Sequence, residues 1–142
     1  MSFVLKRLLF CCHLTDSSSH ANSVDKFSTG DYLLSGRHVN TLYRISRADR
    51  SILWRLGGSK SDFVADFNFS MQHDARIVSE NSTTIVLTLL DNAVNNFEEQ
   101  TPTSSTSSAK MIALYTAEEP MRAKVRHDYF LFHSRWATLT IP

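Results

Sequence analysis

The sequence predicts an all-β chain of antiparallel four-stranded meanders, on three observations. Short apolar or alternating runs of about five or six residues recur between breaks rich in Ser, Asp, Gly or Arg. Helix-capping signatures ahead of a 3.6-residue period are hard to find, and proline is missing until Pro102. A pattern of histidine, short strand, polar turn and apolar strand is then met twice, the second copy about fifty residues after the first.

The elements follow in order. Residues 1–19 stand outside the repeat: MSFVLKRLLFCCHL carries a basic pair and a brief apolar run with no small-residue cleavage site after it. The first repeat unit, residues 20–58, predicts strands over SVDKF, YLLSGR, TLYRIS and SILWRLGG, with STGD and RADR as turns. Trp54 is the expected packing residue between sheets, and Gly57 and Gly58 turn the chain out of the unit. The second unit, residues 72–129, begins with HDARIV, breaks at SENS and resumes with TTIVLTLLDN; KMIALYT and AKVRHDYF complete it. Between its second and third strands lies a polar Ser/Thr-rich insert, residues 95–109, read as a loop. Residues 130–142 do not extend the repeat and form a tail.

Laying His73 over His20 aligns HDARIVSENSTTIVLT with HANSVDKFSTGDYLLS. Four antiparallel strands repeated at this spacing predict two blades of a β-propeller, whereas a sandwich would not restart on the same residue at the same strand position. A blade buries its faces against neighbours and two cannot close a ring, so the expectation is a fragment of a larger propeller. The innermost strand of a blade lines the central channel. His20 and His73 hold its first position in adjacent units, with Arg37 ending the next strand of the first, which suggests an anion site with a nucleophile.

Composition narrows the partners. With 42% hydrophobic residues the 142-residue chain can bury a core, and 15 basic against 14 acidic residues leave no field to draw nucleic acid. No segment reaches the roughly 20 apolar residues of a membrane span. The adjacent Cys11 and Cys12 cannot staple distant parts of a fold, and two sequons, at Asn68 and Asn81, lean towards a secretory ancestry. The compartment of the chain itself is not legible.

The combination of H-A-N-S, S-G-R-H, W-R-L-G-G, Q-H-D-A-R and L-D-N-A, in that order between His20 and Asn92, resembles the arylsulfotransferase (ASST) family, in particular its fungal branch. The resemblance implies a six-bladed propeller whose channel histidine takes a sulfuryl group from an aryl sulfate and passes it to a phenol, without a cofactor, nucleotide sulfate donor or metal. By motif the nucleophile is His73, and His20 and Arg37 bind the sulfate and stabilise the transition state. Asn22, Asp74 and Arg76 are the further substrate-binding candidates. A histidine from an earlier blade completes the site in the family, and nothing before Ser19 can supply it, so the chain alone is expected to turn over an aryl sulfate poorly or not at all.

The residue types suit that chemistry. A neutral imidazole offers sulfur a lone pair without prior deprotonation by another base and splits the transfer into two displacements. A guanidinium and a second imidazole can hold the charge spread over the equatorial oxygens. Asp74 could orient His73, although neighbours on a strand point to opposite faces. His38 is read as structural, Asp91 and Asn92 as tying down a strand end, and a His20, His73, Asp74 metal site as excluded by its spacing. The rival reading is a non-catalytic β-repeat module with Thr41 to Ser46 as an exposed edge strand; a sulfate-ester hydrolase using water as acceptor is a third.

Overall fold

The computed structural model describes residues 20–93 and 103–130, which are all-β and contain no α-helix. The N-terminal segment 1–19, most of the insert and residues 131–142 of the tail lie outside the described residues. The first sheet is a meander of β1 (Ala21–Lys26), β2 (Tyr32–Gly36), β3 (Thr41–Ile45) and β4 (Ile52–Gly57) in spatial order. After a 3-10 turn (Gly58–Lys60), the two-residue β5 (Val64–Ala65) pairs in parallel with the last strand of the second sheet. That sheet is the antiparallel meander β6 (His73–Glu80), β7 (Thr84–Asp91), β8 (Ser108–Tyr115) and β9 (Arg122–Phe130).

Every strand expected from the pattern is present, with two corrections. Thr41 to Ser46 is no edge: β3 lies between β2 and β4 and pairs with both, so its backbone groups are spent in the sheet. β8 begins at Ser108, inside the segment expected as loop, because Ser108 and Ala109 find partners on both β7 and β9.

Turn chemistry closes the first sheet. Asp31 Oδ2 accepts two hydrogen bonds from Arg44, Nε at 3.0 Å and Nη2 at 2.7 Å, while Oδ1 takes the Arg47 backbone N–H. One carboxylate thus ties the β1–β2 turn to β3 and the turn after it, and the Arg44 guanidinium lies 4.3 Å over the Phe27 ring. At the exit, Gly57 has φ +82, and a Cβ there would stand 2.6 Å from both Asn40 O and the Phe69 ring. Only glycine fits that bend.

One buried cluster takes side chains from both sheets. Leu33, Leu42, Trp54 and Leu56 come from the first, and Ala75, Ile85, Leu87, Leu89, Ile112 and Leu114 from the second. Trp54 stands edge-on to Phe27 at 6.2 Å and to Phe63 at 5.4 Å, the packing role expected of it. Ile85, Leu87 and Leu89 alternate with half-buried neighbours along β7, the period-2 signature of a strand with one face in the core.

β1 and β6 run side by side in the same direction. Ser23 Oγ accepts the Ala75 N–H at 3.0 Å, Asp25 Oδ2 accepts the Ile77 N–H at 2.9 Å, and Glu80 Oε1 accepts the Ser28 N–H. Side chains of one sheet therefore satisfy edge N–H groups of the other, which leaves fewer of them to recruit a foreign strand. The duplication is also present as repeated register. Val24 opposite Leu34 and Ser23 opposite Ser35 recur as Ile77 opposite Leu87 and Arg76 opposite Thr88, at the offset that superimposes His73 on His20. β1 and β6 each carry a register shift just after that histidine position. The described residues form two sheets and no closed ring.

Candidate functional site

The segment entering β6 is held from three directions, and this places His73. Ser70 donates its backbone N–H to Asp91 Oδ1 at 2.9 Å, and Met71, at φ +52, donates to Asn40 Oδ1 at 2.8 Å. Gln72 is fully buried and its Nε2 donates to Ser35 Oγ and Gly36 O at 3.1 Å, with Thr41 O at 3.4 Å. In return Asn22 Nδ2 donates to the Gln72 carbonyl at 2.5 Å. Because Asn22 sits two residues after His20 and Gln72 immediately before His73, the two histidines stand at the same end of the β1–β6 seam. Arg37 joins them there, since its N–H donates to the His20 carbonyl at 2.8 Å.

Around this trio the surroundings are sparse. The His20 side chain is exposed and its ring centroid lies 5.1 Å from that of His38, tilted by 39°. His38, read from the sequence as structural, is therefore a direct neighbour of His20. Arg37 is half-buried, and its guanidinium has no ion-pair partner among the described residues. A planar guanidinium can receive a tetrahedral oxyanion by paired N–H donation.

Asp74 and Arg76 are placed differently from His73. Asp74 has φ +49 and an exposed carboxylate, whose Oδ1 accepts Arg76 Nε at 2.7 Å and Nη2 at 2.6 Å. The bulge after His73 turns the pair outward, and Arg76 Nη1 reaches only the Val24 carbonyl, at 3.4 Å. The Asn22 amide is spent on the Gln72 carbonyl, and its buried Oδ1 has no partner among the described residues.

The partner of His73 is a residue given a lesser part by sequence. Asn92 Oδ1 lies 3.2 Å from His73 Nδ1. Asn92 is presented by its neighbour Asp91, 1% exposed, whose Oδ1 accepts the N–H groups of both Ser70 and Ala93. Asp91 thus ties down the strand end as expected, and Asn92 turns to the histidine. The signal was the L-D-N-A motif itself.

Beneath lies a buried charge cluster. Lys110, 6% exposed, donates to Asp128 at 2.7 Å and stands 3.6 Å from Asp91 Oδ2. Burial pushes the Asp128 carboxyl up, but the hydrogen bond and charge of Lys110 outweigh it and hold it below its ordinary value. A cleft of about 610 Å³ opens on this cluster between Asp66, Asn68, Lys110, Asp128 and Phe130, and none of His20, Arg37 or His73 lines it. Among the described residues no three His, Cys, Asp or Glu side chains converge to hold a metal ion, and no helix is long and apolar enough to cross a membrane.

A family model described as Arylsulfotransferase (ASST) matches residues 15–132 of the chain. No curated protein and no solved structure matches it.

Proposed function

The chain belongs to the arylsulfotransferase (ASST) family, and from that premise we propose that it moves a sulfuryl group from an aryl sulfate to a phenol through a sulfo-histidine at His73. What supports this reading is that the segments carrying His20, Arg37 and His73 are joined at one end of the β1–β6 seam, Arg37 N–H to the His20 carbonyl and Asn22 to the carbonyl of Gln72, the residue before His73. The two sheets are read as adjacent blades of a propeller, with β1 and β6 as their inner strands.

The chemistry divides into two displacements. In the first, the Nε2 lone pair of His73 attacks sulfur; the N–S bond forms as the bond from sulfur to the aryl oxygen breaks, and the phenolate departs to be protonated by solvent. In the second, the acceptor phenol oxygen attacks the same sulfur, the N–S bond breaks, and the phenolic proton is lost. Arg37 and His20 hold the equatorial oxygens, whose negative charge grows in each transition state, and each such donor is worth about 3 kcal/mol. Asn22 serves by holding the entry to His73. Asp74 and Arg76, engaged with each other on the surface, act on substrate only at the rim.

Intact-mass spectrometry after mixing the chain with an aryl sulfate in the absence of acceptor tests the reading. One labile sulfuryl adduct is expected, lost on adding phenol and absent in His73→Ala. An adduct that persists in His73→Ala, or none in the wild type, refutes it. Release of phenol at a rate indifferent to acceptor concentration would instead mark a hydrolase.

A further inference from the structure

We propose that Asn92 is a positioning residue that holds His73 as its Nδ1–H tautomer, so that Nε2 carries the attacking lone pair; the inference rests on His73 as the nucleophile. A neutral imidazole has one protonated and one bare nitrogen, and only the bare one can attack sulfur. Which nitrogen is bare depends on the hydrogen bond made by the other. The oxygen of a carboxamide only accepts, so Asn92 Oδ1 at 3.2 Å from Nδ1 requires the proton to sit on Nδ1.

Both partners are mounted on restrained backbone. His73 opens β6 opposite Leu90 of β7, directly behind the Gln72 anchor. Asn92 follows the last residue of β7, where Asp91 grips the N–H groups on either side of the contact, from Ser70 and Ala93. Ser107 Oγ donates to the Asn92 carbonyl at 3.0 Å, and Ala93 turns the chain away at φ +54. No carboxylate pairs with His73 among the described residues, since Asp74 is engaged by Arg76. Asn92 therefore supplies the acceptor that sets the tautomer. An amide turned end for end would donate into Nδ1 and leave the proton on Nε2, and the two arrangements are separable by experiment.

The full chain labelled with 15N is compared with Asn92→Ala and Asn92→Asp by long-range proton–nitrogen correlation of the imidazoles, with His73 assigned by the loss of its signals in His73→Gln. The expected result is an Nδ1–H tautomer in the wild type, a shift towards Nε2–H in Asn92→Ala, and restored Nδ1–H in Asn92→Asp. Single-turnover adduct formation should slow by about 10- to 100-fold in Asn92→Ala, the range for losing a partner that orients a functional histidine, and recover in Asn92→Asp. An Nε2–H tautomer in the wild type, or a tautomer unmoved by Asn92→Ala, overturns the proposal. A normal adduct rate in Asn92→Ala overturns the positioning role and leaves sulfuryl transfer standing. The expected tautomer with no wild-type adduct refutes transfer and leaves the contact standing.

Discussion

Replacing Gln72 by alanine takes away a fully buried amide that donates to Ser35 Oγ and Gly36 O at 3.1 Å, with Thr41 O at 3.4 Å. Two hydrogens cannot serve three acceptors fully, so the loss is counted as two net hydrogen bonds, about 2 kcal/mol together. Acceptors stranded in the dry seam add about 1.5 kcal/mol, and the missing methylene with its cavity about 1 kcal/mol. Against this, Gln72 Oε1 is buried with no partner among the described residues, and deleting it returns about 1.5 kcal/mol. The net is a destabilisation of about 3 kcal/mol, or roughly 6 to 12 °C in Tm for a chain of this size. Gln72→Met keeps the volume and should cost about 1 kcal/mol less. Urea unfolding followed by far-ultraviolet circular dichroism reads both. A loss below about 1 kcal/mol in Gln72→Ala would refute the view that this amide anchors the second sheet to the first.

Arg37→Lys should lower adduct formation by about 100-fold while stability stays within about 0.5 kcal/mol, because the planar fork is lost from a side chain with no ion-pair partner among the described residues; single-turnover kinetics and thermal unfolding check the two halves. Burial raises the Asp31 carboxyl, but hydrogen bonds from Arg44, the Arg47 N–H and Thr29, with the Arg44 charge, bring it below its ordinary 3.8. A folded value below the unfolded one contributes stability above pH 3.8 and loses it as pH falls. Asp31→Asn should therefore cost about 1 to 2 kcal/mol near neutrality and converge on the wild type in acid, as denaturant midpoints across pH will test. Lys110→Met leaves Asp91 and Asp128 facing each other without their cation and should cost about 3 kcal/mol or more, measured by the same unfolding.

The strands were legible because their signals are local. Alternation from Thr84 to Asp91 and the polar breaks STGD, RADR and SENS need only the nearest residues to be read. The repeat was legible too, since its histidine, turn and strand recur in the same order. Strand order was not: whether Thr41 to Ile45 lies at an edge or in the middle depends on which segments pair with it, and no local pattern records that. The parallel pairing of β5 with β9 joins segments far apart in the chain and escaped notice for the same reason.

The site divides along the same line. The amino-acid sequence alone determined the elements, the family, and the histidines and arginine set at strand ends, because residue type and spacing carry those. The tertiary structure alone decided that Asp74 turns outward to Arg76, that His38 lies against His20, and that Asn92 meets His73. One bulge reverses which face a side chain takes, and a contact across strands exists only once register is set; both are consequences of long-range packing.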